Sequence, residues 1–339
     1  MIAEVELCRS CVLTAAVPGV TLHEGLCNFC REASDPGELK SRRTALAVAM
    51  REKIEQRRNR GEYDCVVAFS GGKDSSYTLL MLARDMGLNC LAVTVDNGFV
   101  SEQAMANCRT VASSLGVDLL IHTPSFAFMK NMYVKSVQDP GLHVKSAARR
   151  ASAICNSCIS LINTYMLKTA ARNGIPIVAG GYVGGQVPQD AAALVVNLDR
   201  RRELQAPALE RKIAAFGQDA LRHFDAGAHP GGSASELLLI NPMLTVMVSE
   251  NDIIAAIGEL GWRRTADTGL NSSNCKLNDV GVLMHYRQHR FHPYAFEISD
   301  QIRAGLMSRE EGLRKVRDIP DVVAMSAELQ KLELDVSAP

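Results

Sequence analysis

The chain has 339 residues, 47% of them hydrophobic, and its 37 Lys and Arg balance 37 Asp and Glu. That length supports one large core with appendages, or two domains. Neutrality disfavours a protein that grips a long polyanion by its backbone, because such proteins carry a basic excess or stripe. Only local basic clusters occur, Arg149-Arg150 and Arg200-Arg201-Arg202; a tRNA stays open as substrate, and a small molecule is favoured. No apolar run reaches the length of a membrane helix. The start, Met1-Ile-Ala-Glu-Val-Glu-Leu-Cys8, lacks the basic-then-apolar pattern of a secretion signal. The expectation is a cytoplasmic protein without membrane contact, where ten cysteines do not make a disulfide framework.

Residues 1–35 are rich in cysteine and turns (Pro18-Gly19, Glu24-Gly25) and too small to fold without a staple. Residues 36–62 read as a linker, with helical composition and no breaker over 38–59. From 63 the rhythm changes. The apolar run Asp64–Phe69 meets a glycine turn, a helix follows from Ser75 to Met86, and a second run, Cys90–Val95, ends at Asp96-Asn97-Gly98. A helix over 101–115, a strand at Asp118–His122, a helix over 159–173 and a strand at Pro176–Ala179 complete the alternation. Strand–helix–strand order predicts an α/β fold with a doubly wound parallel sheet. The main domain is placed at 63–290. Residues 184–235, broken by Pro188, Pro207 and a flexible His229–Ala234, read as an insertion or substrate cap. A strand over Glu236–Ile240 and a helix over 249–260 follow, and 291–339 form a helical tail. There Ser308 and Glu311 have capping-box spacing. Cys65, Cys90 and Cys108 sit in apolar or helical runs and read as small buried hydrophobes.

Ser70-Gly71-Gly72-Lys73-Asp74-Ser75 is the most informative segment. It follows a strand and opens a helix, so backbone N–H groups and the helix N-terminus converge where an anion would sit. Lys73 adds a full positive charge, and Ser70 and Ser75 add hydroxyl donors. Asp74 beside phosphate would be repulsive unless Mg2+ bridges them, which points to a metal-bound nucleotide. The bland reading is a glycine turn at an ordinary helix start. The spacing is wrong for a Walker A loop or a dinucleotide fingerprint. It resembles the Ser-Gly-Gly-x-Asp-Ser signature of the PP-loop (N-type) ATP pyrophosphatases, with their HUP-like sheet. That resemblance implies cleavage of ATP between the α and β phosphates, the loop holding the pyrophosphate and AMP passing to a substrate oxygen. It places Asp96 near the adenosine and Gly180-Gly181 near the α-phosphate.

Cys155-Asn-Ser-Cys158 precedes the 159–173 helix, and Cys275 stands alone later, in Asn271-Ser-Ser-Asn-Cys275. Three thiolates would suit a [4Fe–4S] cluster with one iron left open. The alternatives are that the pair forms a redox disulfide, holds zinc with outside ligands, or merely starts a helix. The order resembles the iron–sulfur tRNA thiolases of the 2-thiouridine and 2-thiocytidine type. On that resemblance Cys155, Cys158 and Cys275 are cluster ligands and catalytic, with Lys73 and Asp74. That family's Gly-His reads Gly180-Gly181 here.

Cys8-Arg-Ser-Cys11 and Cys27-Asn-Phe-Cys30 are two knuckles separated by fifteen residues, the spacing of one structural tetrahedral Zn2+ site. Two redox pairs are the alternative, and His23 a substitute ligand. A similar knuckle precedes the PP-loop in N-acetyl sugar amidotransferases. The phrases Gly25-Leu-Cys-Asn-Phe-Cys30, Tyr63-Asp-Cys-Val-Val, His292-Pro-Tyr294 and Ser308-Arg-Glu-Glu-Gly312 resemble that family too. His285, His289 and His292 lie in a basic stretch that either faces substrate or is a polar surface with packed histidines.

The leading reading is a sulfur transferase that adenylates a carbonyl oxygen and replaces it with sulfur from a sulfur donor. The alternative is an amidotransferase supplied with ammonia by a partner glutaminase. A non-catalytic nucleotide-binding sensor is a third reading, and a homodimer is allowed.

Overall fold

The computed structural model describes residues 6–139, 141–227 and 236–335. The expected flexible His229–Ala234 segment lies outside the described residues. A two-stranded hairpin, β1 (Leu22–His23) and β2 (Leu26–Cys27), sits in the cysteine-rich start. The helix Pro36–Glu55 follows, started by Asp35, whose side chain accepts the Gly37 and Glu38 N–H groups, and by Pro36 in the first turn.

Six strands form the main sheet: β3 (Cys65–Ala68), β4 (Cys90–Val95), β5 (Asp118–His122), β6 (Ile177–Ala179), β7 (Ala193–Asn197) and β8 (Glu236–Ile240). Their order is β5-β4-β3-β6-β8-β7. The pairs β3–β4, β3–β6, β4–β5 and β6–β8 are parallel. The edge strand β7 runs antiparallel to β8. The sheet is therefore mainly parallel, and part of the supposed insertion is built into it. The helix Leu198–Phe216 that follows runs straight through Pro207.

Side chains alternate across the central strands. Cys65, Val67, Cys90 and Ala92 face one half of the core with Ile54, Leu79 and Val111. Val66, Leu91 and Val93 face the other with Tyr133, Leu161 and Met166. Helices cover both faces, as all-parallel sheets require. Cys65, Cys90 and Cys108 are fully or almost fully buried.

The chain leaves β3 toward β4 on one side and later returns to β6 on the other. The carboxyl ends of β3, β4 and β6 thus meet at a topological switch point, where such sheets bind ligands. The cysteine-rich start does not stand apart. Cys8, Cys11, Val12 and Leu13 share a core with Phe291, Ala295, Ile298 and Val316 of the C-terminal helices. Arg309 donates to the Cys8 and Cys11 carbonyls at 3.0 and 3.1 Å. No helix among the described residues is long and apolar enough to cross a membrane.

Candidate active site

The loop after β3 enters the helix Lys73–Leu80, whose first turn has only Gly72 as cap and hence no side-chain cap bond. An anion is the natural partner of such a helix start. Gly71 has φ of +70°, and a Cβ there would lie 2.0 Å from the Ala104 carbonyl, so no other residue fits. The Gly71 carbonyl accepts from Trp262 Nε1 at 2.9 Å and from Asn107 Nδ2 at 3.3 Å. Ser75 Oγ accepts the Ser70 N–H at 3.2 Å. Lys73 Nζ bonds both Asp74 carboxylate oxygens, at 2.9 and 2.8 Å. Burial works against the Lys73 cation, but Asp74 and Glu250 hold its pKa above the ordinary lysine value.

One cavity of roughly 330 Å³ joins this loop to the three later cysteines. Gly180, at the end of β6, lines it, and Gly181 packs on the loop helix: a Cβ there would meet Ser75 N at 3.2 Å. Asp96 turns away. Its carboxylate accepts the Gly98 N–H at 3.1 Å, and among the described residues its neighbour Asn97, not Asp96, lines the cavity.

Cys155 and Cys158 do not precede a helix. They lie in the first two turns of the helix Ala153–Asn173, because Ser152 caps it by accepting the Cys155 N–H. Cys275 lines the same cavity. Its segment is bridged to Val100, and its neighbour Ser273 accepts the Lys73 N–H at 3.1 Å. Asn97 Nδ2 lies 3.7 Å from Cys158 Sγ and 3.5 Å from Cys275 Sγ. The Tyr133 hydroxyl donates to Cys158 Sγ at 3.6 Å. Burial pushes the Cys155 thiol up to about 11, Cys275 up to about 12, and Cys158 above its usual value.

Sulfurs bound to different irons of a cluster stand farther apart than sulfurs sharing one ion. Among the described residues only the knuckle cysteines form a group of three or more ligating side chains whose ligand atoms lie within 4.8 Å of one another. The later three line one cavity, with the Asn97 amide and the Tyr133 phenol as donors suited to thiolates.

In the knuckle, Cys11 and Cys27 Sγ are 3.7 Å apart. A tetrahedron with metal–sulfur bonds of about 2.3 Å has edges of about 3.8 Å. Burial raises the Cys27 thiol to about 11. At Cys8 the N–H groups of Cys27, Cys11 and Ser10 outweigh burial and hold the thiol down to about 6.

Four wall residues escaped the sequence reading: Glu250, Lys315, Glu297 and Asn97. Glu250 bonds Lys315 at 2.9 Å and Arg264 at 3.1 Å. Burial opposes its charge, but Lys73 and Lys315 pull its pKa down to about 2. Burial, reinforced by Asp74 and opposed by Lys73 and Lys315, raises Glu297 to about 7; its carboxylate accepts from Gln186 Nε2 at 2.8 Å. None of the four belongs to a recognisable motif in the sequence. Only Asn97, adjoining a strand end in Asp96-Asn97-Gly98, carried a local signal. The histidines resolve as packing: His285 and His292 are buried, and the His285 ring rests on Phe291 at 4.7 Å.

Sheet order, glycine loop and helix start define a PP-loop type of nucleotide domain. Comparison with known proteins agrees: the family of the queuosine biosynthesis protein QueC, a PP-loop family, matches residues 64–181, from β3 to Gly181. An uncharacterized protein of Methanocaldococcus jannaschii is 23% identical over 256 residues, covering 76% of this chain and 73% of that protein. Among solved structures, the U34-tRNA thiolase NcsA from Methanococcus maripaludis, with its [4Fe–4S] cluster, aligns over 97% of this chain and 98% of its own. Its sequence identity is 14% and its TM-score 0.35. Over residues 64–181 the similarity is thus to a PP-loop family.

Proposed function

We propose that this chain is an ATP-dependent sulfur transferase. An acceptor carbonyl oxygen would attack the α-phosphorus of ATP, and pyrophosphate would leave with the bonding electrons. The loop N–H groups and Lys73 stabilise the charge that develops on that leaving group. Sulfide then adds to the activated carbon, and AMP departs with the original oxygen. A [4Fe–4S] cluster held by Cys155, Cys158 and Cys275 would supply an iron with an open position where sulfide is held. Asn97 and Tyr133 orient the sulfurs through the contacts described above.

The observation that carries this reading is the convergence of three cysteines from two distant segments on the cavity that also holds the nucleotide loop. Ammonia chemistry would not need them. Zinc in the knuckle is structural on this account: the four sulfurs leave no open position, and the knuckle buttresses the C-terminal helices that carry Glu297 and Lys315. The test is Cys275→Ser in an anaerobic preparation. AMP and pyrophosphate should still form while transfer of labelled sulfur to the acceptor stops. Sulfur transfer at the wild-type rate would refute the proposal.

A further inference from the structure

The segment Asn271–Cys275 lines the cavity along its whole length and touches both halves of the site. At Ser273 it meets the nucleotide loop. The Ser273 hydroxyl accepts the Lys73 N–H at 3.1 Å, and a Cβ on Gly72 would lie 2.9 Å from the same oxygen. Two residues on, Cys275 Sγ stands 3.5 Å from Asn97 Nδ2 in the cysteine group. The residues between are tied into one turn. Ser272 Oγ donates to the Cys275 carbonyl at 3.1 Å and accepts the Asn274 and Cys275 N–H groups at 3.4 and 3.1 Å. Backbone bonds pin the far side of the turn: the Ser101 N–H donates to the Asn274 carbonyl and the Lys276 N–H to the Phe99 carbonyl, both at 2.9 Å.

Lys73 is the first residue of its helix, so its N–H has no partner within the helix and belongs to the donors that an anion takes. It is a single donor, and Ser273 Oγ and a phosphate oxygen compete for it. The ionised acceptor makes the stronger bond, so phosphate displaces the hydroxyl. Because Ser272 ties the turn together, the release of Ser273 carries Cys275 with it, pivoting on the pinned pairing at residues 99–101.

We propose that Ser273 is a positioning residue: it stands in for phosphate on the nucleotide loop, and its displacement by ATP resets Cys275 within the cysteine group. The proposal rests on ATP binding at the loop, as in the function proposed above, and needs neither iron nor sulfur. It sets an order of events, nucleotide first and cysteine chemistry second.

The test uses the iron-free, reduced full chain with its zinc retained, and a non-hydrolysable ATP analogue with Mg2+ as probe. Removing the competing hydroxyl should let Ser273→Ala bind the analogue about fivefold more tightly in calorimetry, the equivalent of one neutral hydrogen bond. Ser273→Thr, which keeps the hydroxyl, should match the wild type. Alkylation of Cys275 by iodoacetamide at fixed pH, read by peptide mass spectrometry, reports the coupling. The analogue should speed it about fivefold in the wild type, the low end of site-to-site coupling, whereas a nucleotide that merely covered the cavity would slow it. In Ser273→Ala, Cys275 should react at the faster rate without nucleotide, and the analogue should add nothing. Equal or weaker binding by Ser273→Ala, or a wild-type Cys275 rate that the analogue leaves unchanged or slows, would overturn the proposal and leave the sulfur-transferase reading standing. A wild type that does not bind the analogue would overturn both.

Discussion

Trp262 is the single tryptophan of the chain, and its indole N–H holds the carbonyl of Gly71 in the nucleotide loop at 2.9 Å. Trp262→Phe keeps an aromatic ring in the buried site and removes that donor. Gly71 O is not orphaned, because Asn107 Nδ2 remains at 3.3 Å. That amide also serves the Arg263 carbonyl, at 2.7 Å, so it compensates only in part. The loss should be that of one neutral hydrogen bond, about 1 kcal/mol, below the cost of a fully unpaired buried acceptor. If the bond also fixes the loop for phosphate, ATP binding weakens about fivefold, which is what 1 kcal/mol amounts to in affinity. Urea unfolding followed by circular dichroism reads the first number, and calorimetric titration with ATP and Mg2+ reads the second. A variant with the wild-type urea midpoint and the wild-type ATP affinity would refute the argument.

Three further outcomes are expected. Lys73→Ala or Asp74→Ala should abolish release of AMP and pyrophosphate with the fold retained in circular dichroism; normal AMP formation would place the nucleotide elsewhere. Metal analysis should find about one zinc per chain, and Cys8→Ser or Cys27→Ser should lower the melting temperature more than activity per folded molecule; full stability in a metal-free preparation would exclude this. Glu297 has a folded pKa raised to about 7 against an ordinary 4.5. The native state therefore binds the extra proton, and its contribution to stability is fully present below pH 4.5 and lost as pH rises through 7. Unfolding free energies measured across that window should fall more steeply in the wild type than in Glu297→Gln, and parallel curves would disprove the assignment.

The loop is legible in the sequence because Ser70–Ser75 is contiguous and its chemistry is local. The strands Cys90–Val95 and Asp118–His122 are legible as short runs ended by turns. The edge strand β7 is not. Its apolar run Ala191–Val196 lies in a segment broken by Pro188 and Pro207, and its partner is the distant β8, so the run reads as part of an insertion. The true start of the cysteine helix escapes the sequence reading although Ser152 is a cap-type residue, because no Glu or Gln three residues on completes a capping box there. Glu250, Glu297 and Lys315 give no signal. Glu250 reaches the cavity from the start of the helix Glu250–Gly258, and Glu297 and Lys315 from the C-terminal helices, tertiary placements that no local pattern announces. Asn97 is visible in the sequence only as a turn residue, while the PP-loop resemblance points to its neighbour Asp96.

Iron and acid-labile sulfide analysis of anaerobically purified protein tests the central claim most directly, with the wild type compared to the Cys155→Ser, Cys158→Ser, Cys275→Ser triple variant. The wild type should carry about four irons and four sulfides per chain, and the triple variant none, with zinc unchanged in both. Wild-type protein that takes up no iron under reconstitution, or a triple variant that keeps its full complement, would contradict the account.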